Sequence, residues 1–472
     1  RPAFFTHWLA LNALGVSVVP IQAELRIEEC AYMIGHSEMC LAVALPSREA
    51  ELRSAASNAG VTLNTIGPEA IGRIPSPSSP PPQGRRPVRR DSECALLYTS
   101  GTTGRPKGCR LANGYFLRTG EWYLGLGGLA ATRQDVERIV TPLPLSHMNA
   151  MAVSAMAAIV SGGCLIQLDR FHPATWWQSV RESRATIVHY LGVMPALLLA
   201  APPDEKDREH AVRFGFGAGV ARDDHAAFEQ RFGIPLLEAW AMTETGAAAC
   251  IMANEEPRHV GTNCFGRAEA FVEARVVDDA GLDVAADKPG ELLVRAAGAA
   301  PRLDFFLGYL KDEPATEAAW AGGWFHTGDV VKRSLGGDFH FIDRKKNVIR
   351  RSGENISAVE VEGVLAQHPM LAACAVAATP DPTRGDEVLV CVVMREPLDP
   401  ASRIRVAISI VAHSLKRLAY FKAPGYVAFV DALPLTPSQK IQRAELRDLA
   451  RVLPGQSHCI DTRALKRRPS TG

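Results

Sequence analysis

Long apolar runs are missing from this sequence. The longest, Ala150–Val160, is broken by Ser154 and is too short to cross a bilayer as a helix. Charge of one sign is missing too. Lys and Arg number 52 against 51 Asp and Glu, a net +1, which excludes the basic footprint of a nucleic-acid binder. None of the ten cysteines forms a Cys-x-x-Cys pair. They read as reduced, buried thiols in a cytoplasmic protein. No internal repeat and no signal peptide is visible in the sequence. An initiating Met is also absent. Arg1-Pro2 leads straight into a helical apolar pattern (Phe4, Phe5, Trp8, Leu9, Leu11), so a natural N-terminal piece is expected ahead of it.

What is present is an ordinary globular composition, 47% hydrophobic and 22% charged, over 472 residues. That length exceeds one compact core and predicts two or more domains. The pattern predicts an α/β fold: helices at Phe4–Leu14 and Glu24–Ile34, buried strands at Val16–Pro20 and Cys40–Leu45, and a parallel sheet covered by helices. Residues 75–90, rich in Pro, Ser and Arg, read as a surface connector. Beyond it the pattern predicts a strand at Cys94–Thr99, a loop, and a helix from about Ala112. Ala150–Ser161 reads as a helix; Cys164–Leu168, Ala185–Tyr190 and Val212–Phe216 read as strands. Residues 265–300 turn to β-type runs and predict a small antiparallel subdomain. The charged stretch Asp343–Asn347 marks a boundary. After it come helices at Ala358–His368 and Ile404–Leu418 and strands at Cys374–Ala378 and Val388–Val393, a separate α+β domain. The expected division is a large domain over 1–343, a hinge over 344–350, a small domain over 351–452 and a disordered polar tail over 453–472.

The most informative segment is Tyr98-Thr99-Ser100-Gly101-Thr102-Thr103-Gly104-Arg105-Pro106-Lys107-Gly108. Glycines let backbone N–H groups close on an anion, hydroxyls add donors, and Lys107 adds charge. A strand followed by such a loop suits a polyphosphate. It is not a Walker loop, because Lys107 lies between Pro106 and Gly108 rather than between Gly and Ser or Thr.

This string resembles the signature phosphate loop of the adenylate-forming superfamily, which includes acyl-CoA ligases, firefly luciferase and the adenylation domains of non-ribosomal peptide synthetases. The resemblance runs from about Phe4 to Arg447 and omits only the opening elements of the larger domain. It implies a large adenylation domain of helix-covered sheets with a small β subdomain, followed by a small mobile C-terminal domain. Phe171–Leu199 and Arg344–Val361 look most like the crotonobetaine/carnitine-CoA ligase group.

The resemblance assigns further residues. In Trp240-Ala241-Met242-Thr243-Glu244-Thr245, similar to the second nucleotide motif, Trp240 is expected to stack on adenine, Thr243 to bond a phosphate and Glu244 to hold Mg²⁺. Trp240-Ala241 replaces the more usual Tyr-Gly. Asp329, in Gly323-Trp324-Phe325-His326-Thr327-Gly328-Asp329, and Arg344 match the ribose ligands. Lys346 falls on the hinge position. Gly353, in Ser352-Gly353-Glu354-Asn355-Ile356, matches the glycine beside the pantetheine arm. Lys440, in Pro434–Ile441, matches the lysine that bridges carboxylate and α-phosphate; Gln439 stands where Gly is frequent. Two loops are expected to form the acid pocket, Ser146-His147-Met148-Asn149 and Phe216-Gly217-Ala218-Gly219, with Gly217 and Ala218 also reaching the nucleotide. Phe216, where Gly is common, predicts a shallow pocket for compact acids. For a quaternary ammonium acid, Asn149 is no counter-charge; Trp176 and Trp177 are the aromatic residues considered.

The implied activity is an acid–thiol ligase. ATP and acid give an acyl-adenylate and pyrophosphate; coenzyme A then gives the thioester and AMP. Expected partners are a small carboxylic acid, ATP, Mg²⁺ and coenzyme A, with no nucleic acid and no membrane span; a homodimer is left open. Alternatives are loading of a carrier protein, luciferase-like oxygen chemistry, and a nucleotide-binding relative without catalysis.

Overall fold

The computed structural model describes residues 2–69, 87–99, 105–344, 349–356, 358–434, 441 and 443–466. Ser100–Gly104, Lys346 and Lys440 therefore lie outside the described residues, as do most of the 75–90 connector and the side chain of Arg344.

A large N-terminal domain and a smaller C-terminal domain make up the chain. Among the described residues, the centre of the large domain is a six-stranded sheet in the order Ile251–Met252, Leu236–Trp240, Phe214–Gly217, Ile187–His189, Arg138–Thr141, Cys164–Gln167. All neighbours pair in parallel except the edge strand Ile251–Met252. Burial on both faces demands near-continuous apolar strands such as Phe214–Gly217, buried at every position. The helical stretch Asn149–Val160 covers one side; its first turn, Asn149–Ser154, is widened to a π-helix. Helices Trp176–Glu182, Val193–Leu199 and Arg222–Phe232 pack on apolar residues of the strands.

The segment expected to run strand–loop–helix is a hairpin first. Glu93–Thr99 pairs antiparallel with Lys107–Ala112, with Thr99 opposite Lys107, and the helix follows at Asn113–Gly125. The second strand was missed because Gly108, Cys109 and Arg110 break any apolar alternation. Val16–Pro20 makes only a single parallel bridge, Val18 to Ala95, instead of a strand. The antiparallel subdomain forms as expected and extends further, to Arg344, as a five-stranded sheet.

The C-terminal domain is a sheet centred on Gly385–Met394, flanked by helices Ala358–Leu365, Arg403–Leu415 and Arg443–Val452. The expected disordered tail is corrected over 453–466. Cys459–Asp461 adds a strand against Tyr426–Phe429, and Lys466 is buried on Glu387. Composition hid this because a short edge strand needs few apolar residues. All ten cysteines are free thiols. No described helix is long and apolar enough to cross a membrane.

Candidate active site

A cavity of about 710 Å³ opens where the sheets of the large domain meet the C-terminal domain. Its walls come from strand ends and the loops that follow them, the usual location of ligands in open α/β sheets.

Thr99 and Lys107, opposite each other where the Glu93–Thr99 and Lys107–Ala112 strands meet, line the cavity together with Thr243 and Glu244. Lys107 Nζ lies 4.5 Å above the Tyr309 ring and 3.7 Å from Asp312 Oδ2. Tyr309 donates its phenol proton to Glu244 Oε1 at 2.9 Å. Burial, and then the Glu244 charge, push the Tyr309 phenol far up, so it stays a donor. Sequence reasoning missed Tyr309; its pairing strand, Gly308–Tyr309, is only two residues long.

The loop Phe216–Gly219 is pinned from behind. Buried Glu238 accepts from the backbone N–H groups of Gly219 (2.9 Å) and Val220 (3.2 Å) and from the Tyr190 phenol (2.9 Å). A Cβ at Gly217 would lie 2.4 Å from the Tyr190 carbonyl oxygen, so packing requires glycine there. Phe216, Gly217 and Ala218 all line the cavity, as do His147 and Asn149.

The C-terminal domain supplies Gly353 and Glu354. They belong to a tight hairpin between Ile349–Arg351 and Glu354–Ile356, with φ of 51° at Ser352 and 85° at Gly353. Two consecutive positive φ values define the mirror-image turn that suits strand twist. The hairpin tip touches the large domain: a Cβ on Gly353 would lie 2.3 Å from Leu191 Cδ1. Glu354 accepts from Gln22 Nε2 at 3.0 Å, and its other oxygen lies 3.5 Å from His147 Nε2. Burial opposes charge on His147, but Glu354 outweighs it and holds the imidazole above its ordinary range. Glu354 was not singled out by sequence.

Trp240 and Asp329 are not in the wall. Trp240 is buried, and its indole N–H donates to Asp329 Oδ2 at 2.9 Å. The backbone of Asp329 pairs with that of Arg344, so the two expected ribose ligands share one rung of the antiparallel sheet. Trp176 and Trp177 lie away from the cavity. The first is buried, and the second stacks on His210 and packs on Phe232. The tryptophan that does line the cavity is Trp122.

Glu244 offers hard carboxylate oxygen at the phosphate end. No described group of three His, Cys, Asp or Glu could cage a metal. A single carboxylate of this kind is a ligand Mg²⁺ takes together with phosphate and water.

Residues 1–303 match the AMP-binding enzyme family, and residues 360–440 match the AMP-binding enzyme C-terminal domain. The chain is 29% identical to the crotonobetaine/carnitine–CoA ligase of Shigella dysenteriae serotype 1, over 94% of this chain and 86% of that one. It is 32% identical to the sulfoacetate–CoA ligase of Cupriavidus necator, over 93% and 84%. Among solved structures it is similar to the amide bond synthetase McbA of Marinactinospora thermotolerans (26% identity, TM-score 0.77, 93% and 86% covered). It is also similar to a malonyl-CoA ligase bound to methylmalonyl-CoA and AMP (25% identity, TM-score 0.75, 92% and 89% covered). Thr99, Lys107, Gly217, Thr243, Glu244 and Gly353, drawn from separate motifs, line one cavity, and the two family matches cover most of the length; the chain belongs to the AMP-binding enzyme family.

Proposed function

We propose that the protein is an ATP-dependent acid–CoA ligase working in two steps at this cavity. In the first, a carboxylate oxygen attacks the α-phosphorus of ATP, the bond to the β-phosphate oxygen breaks, and pyrophosphate leaves. Thr99 to Lys107 would hold the polyphosphate with Thr243. Mg²⁺ on Glu244 would supply charge neutralisation when bound. Asp329 and Arg344, which share one rung of the antiparallel sheet, would form the ribose side, with Trp240 holding Asp329 through its indole N–H and Gly217 and Ala218 against the nucleotide. Lys440 would stabilise the charge that develops between carboxylate and α-phosphate. This is positioning and electrostatics rather than covalent catalysis.

In the second step the thiol sulfur of coenzyme A attacks the acyl carbon, the bond to the AMP oxygen breaks, and the thiol proton passes to water. The pantetheine arm would run past Gly353. Residues 1–343 would move against the small domain about the hinge 344–350, with Lys346 at its centre. The observation that carries the reading is the shared cavity. The phosphate hairpin, Glu244, the Phe216–Gly219 loop and the Gly353 hairpin of the other domain line one space. Gly353 and Glu354 of the C-terminal domain face it. That arrangement supports the second-step orientation.

The test is pyrophosphate release from ATP and Mg²⁺ over a panel of acids, with acyl-CoA followed by mass. Acid-dependent release with stoichiometric CoA consumption is expected. Release without CoA use would reassign the acceptor to a carrier-protein thiol or an amine. No release with any acid would overturn the reading.

A further inference from the structure

The far end of the cavity is closed by Trp122, Val153, Phe216, Ala247 and Cys250, all buried members of one apolar cluster. The Trp122 and Phe216 rings meet edge to face, 6.1 Å apart at 66°. Phe216 is backed by His189 at 4.9 Å and Tyr123 at 5.7 Å, which fixes the ring. Burial pushes the Cys250 thiol far up, so it is neutral. The charged residues of the wall are elsewhere. Lys107 and Glu244 stand at the phosphate end, Glu291 pairs with His326 at 3.4 Å, and His147 faces Glu354 across the domain boundary.

Asn149, a polar residue of the lining, is oriented by a buried relay. The Tyr123 phenol lies 3.0 Å from His189 Nε2. His189 Nδ1 lies 2.7 Å from Ser154 Oγ and 3.2 Å from Asn149 Oδ1. Ser154 donates its own proton to the Asn149 carbonyl at 3.1 Å, across the widened π-turn. His189 Nδ1 must then be the donor and Nε2 the acceptor from Tyr123. Burial pushes the imidazole down to about 3, so the ring is neutral and the relay carries no charge. Asn149 Oδ1 is thereby occupied. Its Nδ2 has no hydrogen-bond partner among the described residues and is a donor this wall offers the cavity; the Ser146 hydroxyl, also in the lining and without a partner among the described residues, is another.

We propose that the acid taken here is compact, bears no charge besides its own carboxylate, and presents a hydrogen-bond acceptor oxygen to Asn149 Nδ2 against the Trp122–Phe216 floor. This rests on the ligase reading above. A sulfonate or second carboxylate at that end would lose hydration with no cation to replace it. A quaternary ammonium would meet two rings in contact with each other rather than an aromatic cage, and the carboxylate beside them, Glu269, is outside the lining and accepts from the Trp122 indole N–H at 3.4 Å. His189 acts as a positioning residue, through Asn149.

The test compares kcat/KM for CoA-coupled pyrophosphate release within matched pairs, methoxyacetate against butanoate and levulinate against hexanoate, alongside sulfoacetate, malonate and crotonobetaine. The oxygen-bearing member of each pair is expected to lead by roughly fivefold to tenfold, the worth of one hydrogen bond. Asn149→Leu should erase that preference, and Phe216→Gly should shift the optimum toward longer acids. Preference for sulfoacetate, malonate or crotonobetaine with CoA consumed would overturn the inference and leave the ligase standing. A preference within pairs that survives Asn149→Leu would overturn the role of Asn149. Release with none of the acids, ATP binding intact, would overturn the ligase reading and this inference with it.

Discussion

Glu244 and Lys107 meet through one phenol, Tyr309, whose O–H bonds the carboxylate while its ring lies under the ammonium. Tyr309 thereby holds the Glu244 carboxylate at the cavity wall, where the proposed Mg²⁺ would bind. Replacing it with Gln keeps the shape and removes the charge. Glu244→Gln should lower adenylation about 10²–10³-fold, as losing a positioned electrostatic group does, and raise the Mg²⁺ needed for half-maximal rate. Pyrophosphate release titrated with Mg²⁺ reads both; an unchanged Mg²⁺ requirement would remove Glu244 from the metal. Lys440 stands in the motif Pro434–Ile441. A lysine about 4 Å from an anion is worth roughly 4 kcal/mol at an effective dielectric of 20, or about 10³ in rate. Lys440→Ala should lose adenylate formation by that order and keep thioester formation from supplied acyl-adenylate. Equal loss of both half-reactions would sink the assignment.

Two elements carry conformational demands that the sequence states only in part. The hairpin at Ser352-Gly353 needs φ > 0 at both positions, and its tip presses on Leu191. Gly353→Val would strain the turn and collide with that side chain. Thioester formation should fall at least tenfold while single-turnover adenylation falls far less; equal loss would make Gly353 merely structural. The C-terminal strand Cys459–Asp461 brings Lys466 onto Glu387, which Arg351 already pairs at 2.8 Å. Two buried cations then share one carboxylate. Burial and the Arg351 charge lower the Lys466 ammonium to about 7, against 10.5 when exposed. A depressed lysine binds more protons unfolded than folded between those values, so stability should rise as pH rises from about 7 toward 10. Below 7 both states are charged and the dependence from this group vanishes. Melting temperature against pH should show that rise, and Lys466→Met should flatten it.

At the scale of the molecule, the domains are joined by charge as well as by the hairpin. Lys422 of the C-terminal domain is buried between Glu29 of helix Ile27–Ser37 (2.7 Å) and Glu360 of its own domain (2.8 Å). Burial opposes its charge, but the two carboxylates outweigh that and hold the ammonium above its ordinary range. Removing one member of a buried ionic cluster costs about 3–5 kcal/mol because the others lose their counter-charge. Lys422→Met should therefore weaken this docking, slowing thioester formation at least tenfold with adenylation largely kept. If adenylation falls as far, the cluster serves folding rather than docking.

Sequence alone settled the superfamily, the order of the motifs and the α/β class, because phosphate binding constrains contiguous residues: Thr99 through Lys107 carry glycine, hydroxyl and cation in one string. It also placed His147, Asn149, Phe216, Gly217, Thr243, Glu244 and Gly353, which all reach the cavity wall. Other features depend on residues brought together from afar. Tyr309 meets Glu244 across 65 positions, and Glu238 holds the Gly219 loop from a neighbouring strand. Trp240 turns its N–H to Asp329, 89 residues on, instead of lining the cavity. The tryptophan of the wall is Trp122 rather than Trp176 or Trp177, and the tail folds into a strand because Tyr426–Phe429 offers an unpaired edge. Local chemistry is written in neighbouring letters. The shape of the acid pocket and the docking of the domains depend on packing between distant segments, and only the tertiary structure decided them.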